Sequence, residues 1–216
     1  DPDSFHEPSF YKEIEKIGYN MILLGGTGNT KMKKAVEAIK LHTKLSVAII
    51  PSNPGDIVPV DLIFLVSIMN SNSHYFRPFG SASVSCSMTI AELNIPFIPV
   101  AYFIMGVSTA SWYTDACLIP SDNILLSYCL HSQMVGYKWL LLDYEGIPSD
   151  INTQLIQKIK QNSQINLMVI NEFTPQTALQ AIDAGVKTII TASDIYEESA
   201  HPIELAREFY KILIAV

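Results

Sequence analysis

Cysteine is scarce and unpaired in this chain. Cys86, Cys117 and Cys129 show no CxxC spacing, and three is an odd count, so no complete disulfide framework is expected. Reduced thiols of an intracellular protein, buried for packing, are the expectation. Charge is also scarce: 16% of residues are Asp, Glu, Lys or Arg, and the balance is −7. That sign, with no basic cluster, argues against a nucleic-acid partner. The longest apolar stretch, Ile95–Val107, is interrupted by Pro96 and Pro99. It falls short of the roughly 20 residues that a bilayer span requires. No leader is visible, so a cytoplasmic location is expected. The five histidines show neither HxxxH nor HxH spacing, which argues against a transition-metal centre. There is no GxSxG and no readable Cys–His grouping, so hydrolase chemistry has no support.

What the chain has is apolar content, at 49% of 216 residues. Short continuous apolar runs alternate with helical patterns from end to end. The runs are 20–24, 45–50, 62–67, 97–105, 139–143, 166–170 and 188–191. Their lack of in–out alternation indicates strands buried on both faces. The patterns between them predict helices over 9–17, 30–41, 121–135, 150–160, 175–184 and 202–213, with Ser121 as an N-cap and Gly185 as a C-cap. Helices on both sides of each strand imply parallel βαβ units. Seven strands lie within the sequence, and the helix at 9–17 calls for one more ending at Asp1. Eight is the number of a (β/α)8 TIM-like barrel, here a single domain over residues 1–216. An open doubly wound sheet is the alternative. The Ser-rich segment 80–87 is expected to be a mobile loop.

Chemistry in such a barrel gathers at the C-terminal ends of the strands. Gly25-Gly26-Thr27-Gly28-Asn29-Thr30 follows the first run and precedes a helix. Glycines there admit a ligand close to the backbone, and the helix N-terminus favours an anion. The turn is neither a P-loop nor a complete GxGxxG. Asp1-Pro2-Asp3 would close the upstream strand, where a carboxylate can hold a hard cation such as Mg²⁺. The bland readings are a turn for the glycines and a helix cap for the acids.

In the order of these motifs the chain resembles the geranylgeranylglyceryl phosphate synthase family. The resemblance rests on Asp1-Pro2-Asp3, on Gly26-Thr27-Gly28-Asn29 and on Ile50-Pro51-Ser52-Asn53-Pro54. It continues through 61–71 ending in Asn70-Ser71, through Ala101-Tyr102-Phe103 and through Ile195-Tyr196-Glu197. It implies a Mg²⁺-dependent barrel that joins a polyprenyl diphosphate, geranylgeranyl diphosphate, to sn-glycerol 1-phosphate in ether-lipid synthesis. It implies that Asp1 and Thr27 hold the metal and the diphosphate, and that Asp143 orients the glycerol hydroxyls or accepts a proton. It further implies substrate contacts from Gly26, Gly28, Asn29, Asn70, Ser71, Tyr102, Tyr144, Gly146, Glu172, Ala192 and Ser193. A homo-oligomer is implied as well; contact with a membrane surface would account for the same apolar excess.

The chain departs from the family pattern in three places. Where the family has Tyr-x-Glu, it has Leu141-Leu142-Asp143, which sets the carboxylate one methylene back. Where the family has Gly-Gly-Gly-Ile, it has Ile170-Asn171-Glu172-Phe173. Where the last strand ends in Gly-Asn, it has Ala192-Ser193. Small residues expose amides to a phosphate, whereas Glu145, Glu172 and Asp194 would repel one unless turned away or bridged by a cation. Two other functions stay open on these residues: prenyl transfer to an acceptor without a phosphate, and a non-catalytic barrel that binds lipid or protein.

Overall fold

The computed structural model describes residues 1–3, 6–26, 31–145, 147, 151–191, 196 and 199–214. Seven parallel strands are hydrogen-bonded in chain order: β1 (Met21–Leu24), β2 (Ser46–Ile49), β3 (Leu62–Ile68), β4 (Phe97–Ile104), β5 (Trp139–Asp143), β6 (Asn166–Asn171) and β7 (Thr188–Thr191). The chain divides into two compact units, residues 1–65, 81–98 and 193–216 in one and 66–80 and 99–192 in the other.

In the first unit, α1 (Pro8–Ile17) starts on a proline and stops at Gly18, whose φ of 115° is open to glycine at little strain. α2 (Met32–His42) buries Met32, Ala35, Val36 and Ile39, the i, i+3, i+4, i+7 stripe of one helix face. β1 pairs with β2 from Met21↔Ser46 to Leu24↔Ile49. A core built on Leu24, Val36, Ile39, Val47, Ile49 and Ile63 lies beneath. α8 (Pro202–Ile214) packs on α1.

The Ser-rich stretch is helix rather than the expected loop: α3 spans Ser81–Leu93. Two features account for it. Cys86 and Ile90, one turn apart, are buried. The serine hydroxyls that usually compete with helix are turned back onto the preceding turn, Ser85 onto the Ser81 carbonyl (2.6 Å) and Ser87 onto the Ser83 carbonyl (2.9 Å).

In the second unit, β4, β5, β6 and β7 pair in register, so that Ile104, Asp143, Ile170 and Ile190 form one row and Tyr102, Leu141, Met168 and Thr188 the row below. Leu140, Leu141 and Leu142 have no exposed surface, as the continuous apolar run requires. α4 (Thr109–Thr114), which the apolar pattern did not mark, is a single turn-and-a-half capped by Ser108. α5 (Asp122–Met134) begins at the expected cap, Ser121. α6 (Thr153–Asn162) is capped by Asn152, and α7 (Pro175–Ala184) ends on Gly185 at φ 112°.

Candidate active site

Facing decides which residues of the second unit can work together. Phe103 packs edge-on against Tyr128 of α5, with centroids 5.8 Å apart, so it points toward the helices. Side chains alternate along a strand, so Tyr102 and Ile104 point to the opposite face. Their register partners Leu141 and Asp143 share that face. There the Tyr102 hydroxyl donates to Asp143 Oδ2. The Glu145 amide donates to Asp143 Oδ1 at 2.9 Å. Asp143 is only 2% exposed, between Ile104 and Ile170 of the neighbouring strands. Burial raises its pKa above the usual carboxylate value, against the pull of the Tyr102 hydroxyl and the Glu145 amide. Burial, together with the charges of Asp143 and Glu145, holds the Tyr102 phenol well above 10, so it keeps its proton.

Two backbone features hold this pair. Gly106 follows β4, and a Cβ there would collide with the Glu145 carbonyl oxygen and come within 2.9 Å of Ile147 Cγ1. The close approach of the two loops thus depends on glycine. The Met105 amide donates to the Asp143 carbonyl at 2.8 Å. Sequence reading missed Gly106; an isolated glycine just past a buried strand was its only signal.

Asn70 is buried at 6% exposure, and its amide makes three hydrogen bonds. Its Nδ2 donates to the carbonyls of Ile104 and Cys117, both at 2.8 Å, and its Oδ1 accepts from the Ile104 amide at 3.2 Å. Its amide therefore ties the end of β3 to β4 and to the segment before α5. Ser71 donates to the Thr114 carbonyl at 2.5 Å and accepts from the Ser73 amide at 3.0 Å. Beside them a groove of about 230 Å³ is walled by Leu118, Ile119, Ile124 and Tyr128.

Two expected site residues stand apart from this pair. Tyr144 points to the helix-facing side, where its buried hydroxyl makes no hydrogen bond. Burial, then the charges of Asp122 and Cys129 on α5, raise its pKa. Adjacent residues at an extended strand end face oppositely, so Asp143 and Tyr144 point to different sides of the sheet. Glu172 is exposed, while Phe173 beside it is buried at 3%.

The first unit carries the expected metal end. Asp1 is exposed, and its Oδ1 accepts from the Asp3 amide at 2.6 Å. A Cβ on Gly26 would lie 2.8 Å from Asp1 Oδ2, so the close approach of the two residues depends on glycine. Ser52 donates to the Gly26 carbonyl at 3.3 Å. The turn after β2 is organised by buried Asp56, whose Oδ2 accepts from the amides of Ser52 (2.8 Å) and Asn53 (3.1 Å) and from Asn53 Nδ2 (3.0 Å). Among the described residues, no cluster of three or more His, Cys, Asp or Glu side chains forms a metal cage. Thr27, Gly28, Asn29, Gly146, Ala192, Ser193 and Asp194 lie outside the described residues.

Seven parallel strands alternating with helices, with a buried acid and a protonated phenol near the C-terminal ends of β4 and β5, make this an α/β protein of the (β/α)8-barrel class. Comparison with known proteins narrows this. Residues 1–210 match the PcrB family, and the chain belongs to it. It is 28% identical to the geranylgeranylglyceryl phosphate synthase of Metallosphaera sedula, over 98% of this chain and 89% of that protein. The enzyme of the same name from Picrophilus torridus is 30% identical, over 90% and 82%. The crystal structure of the Thermoplasma acidophilum (S)-3-O-geranylgeranylglyceryl phosphate synthase in complex with substrate sn-glycerol-1-phosphate superposes with a TM-score of 0.87. It is 26% identical, over 97% of this chain and 87% of that one. The protein is an enzyme of the prenyltransferase kind, which sets aside the non-catalytic barrel.

Proposed function

We propose that the enzyme transfers a geranylgeranyl group from its diphosphate to the 3-hydroxyl of sn-glycerol 1-phosphate. The observation that carries this reading is Asp143, desolvated and hydrogen-bonded at the mouth of β5. The names of the relatives, and the glycerol phosphate in the Thermoplasma acidophilum crystals, support the same acceptor. In the transfer, the prenyl carbon–oxygen bond breaks and its electron pair leaves with the diphosphate. The acceptor oxygen bonds to that carbon, and the hydroxyl proton passes to the Asp143 carboxylate. An acid that holds its proton more tightly than usual is the stronger base when ionised.

A Mg²⁺ ion fits the first unit's donor set. Asp1 supplies one exposed carboxylate. One carboxylate completed by water and phosphate oxygens is the usual Mg²⁺ arrangement. Asp1 and Thr27 would hold it, and when bound it would neutralise charge on the departing diphosphate. The protein is read as a homo-oligomer on the exposed apolar side chains of α5, Ile124, Tyr128 and Met134.

The test is incubation with Mg²⁺, radiolabelled sn-glycerol 1-phosphate and geranylgeranyl diphosphate, followed by extraction. Label in the organic phase is expected. Its absence, with prenyl diphosphate bound, would move the reading to an acceptor without a phosphate, in keeping with Glu172 where the family pattern has glycine.

A further inference from the structure

We propose that the acceptor's proton does not go to Asp143 directly but crosses the Tyr102 hydroxyl, so that Tyr102 is the catalytic residue in contact with the acceptor and Asp143 the terminal base behind it. The inference rests on the transfer reading above and adds the path of its proton.

Access is the first argument. Asp143 is 2% exposed, and each of its carboxylate oxygens already accepts a hydrogen bond, one from Tyr102 and one from the Glu145 amide. Tyr102 is partly exposed. Of the pair, Tyr102 is the one with surface left for a ligand to touch. Direction is the second argument. The phenol's hydrogen is committed to Asp143 Oδ2, so its oxygen offers only lone pairs to anything else. It can accept a proton and cannot donate one to the acceptor. Reach is the third. Position 143 carries aspartate, a methylene shorter than glutamate, and Leu141, the register partner of Tyr102 on the same face, has no polar atom. Tyr102 is the one side chain of that row whose hydroxyl bridges to Asp143.

The step balances simply. As the ether bond forms and the diphosphate leaves, the acceptor O–H bond breaks and its proton joins Tyr102 Oη. The proton that Tyr102 carried moves to Asp143 Oδ2, leaving a neutral phenol and a carboxylic acid. Burial and the neighbouring carboxylates disfavour a free phenolate, so the two transfers run together.

Three variants and a proton count test this. Tyr102→Phe should lower kcat about 100-fold or more while KM changes no more than about threefold. Asp143→Glu in the Tyr102→Phe background should restore activity at least about tenfold, because the longer acid reaches the acceptor without the phenol. In mixtures of light and heavy water, the wild-type rate should bow as two protons in flight require, and that of the double variant should run straight. A Tyr102→Phe enzyme that keeps kcat within about threefold, or a straight wild-type plot, would overturn the relay. A Tyr102→Phe chain that fails to fold leaves the wild-type proton count to decide. If the wild type forms no ether product, the acceptor reading fails, and carbon-13 NMR of the Asp143 carboxyl, assigned by its loss in Asp143→Asn, judges the relay alone. Loss of the phenol should then raise the Asp143 pKa by about a unit or more, and an unchanged titration would overturn the relay.

Discussion

Asp143 stands at the centre of the chemistry, and its environment fixes what replacing it should do. Asp143→Asn retains the shape and removes the base, so kcat should fall by about 10²- to 10⁴-fold in the extraction assay. Because burial raises the acid's pKa, the activity of the wild type should fall on acidification at a pH above the ordinary carboxylate range, and kcat against pH measures it. Asn70 is a different kind of residue. Three hydrogen bonds to backbone groups occupy its amide, so Asn70→Ala should cost about 2–3 kcal/mol in urea unfolding. Asn70 and Ser71, substrate contacts by the motif, also line the groove beside α5 while the Asn70 amide ties three chain segments together, a double duty that a sequence does not display. Facing is equally hidden at Tyr144. It adjoins the base in sequence, but alternation puts its ring under α5. The cysteines are readable by burial, which pushes Cys86 up to about 11 and Cys129 up to about 12, whereas Cys117 is exposed. Alkylation of the native protein at pH 8 should therefore modify Cys117 alone, as peptide mass mapping would show.

Among the elements, the strands and the amphipathic helices were legible because each has a period or a run that burial imposes. α3 was not, since serine usually marks turns, and only the buried pair Cys86 and Ile90 carries its helical spacing. Its serines are also the place to gain stability. Ser87→Ala removes a hydroxyl that bonds only to its own helix and should add about 0.5 kcal/mol by urea unfolding, with kcat unchanged. The loop after β4 behaves oppositely. Gly106→Ala drives a methyl group into the Glu145 carbonyl and should cost about 2 kcal/mol. It should also lower kcat, because the displaced strand end carries the amide that fixes Asp143.

For the molecule as a whole, the ionisable groups pull stability in two directions with pH. Glu15 is lowered by the Thr43 hydroxyl and the Lys44 amide, and Asp61 mainly by the Val47 amide. Groups lowered on folding stabilise above their unfolded pKa of about 4 and lose that contribution as pH falls through the folded value. Asp143 has the opposite sign. Its contribution is present below about pH 4 and is lost as pH rises through its raised folded value. Relative to Asp143→Asn, the wild type should therefore gain stability between pH 7 and pH 4, which paired urea titrations measure. Fold class was legible at this scale, since seven apolar runs alternating with helices leave few topologies. The acceptor end was not, because the glycines that would mark a phosphate cradle are replaced by Glu172 and its neighbours.

The hydrogen bond that steadies Asp143 Oδ1 comes from the main chain of residue 145. Every amino acid except proline can supply it. The anchor of the base is thus written in the main chain, and no replacement of the side chain at 145 short of proline removes the donor itself.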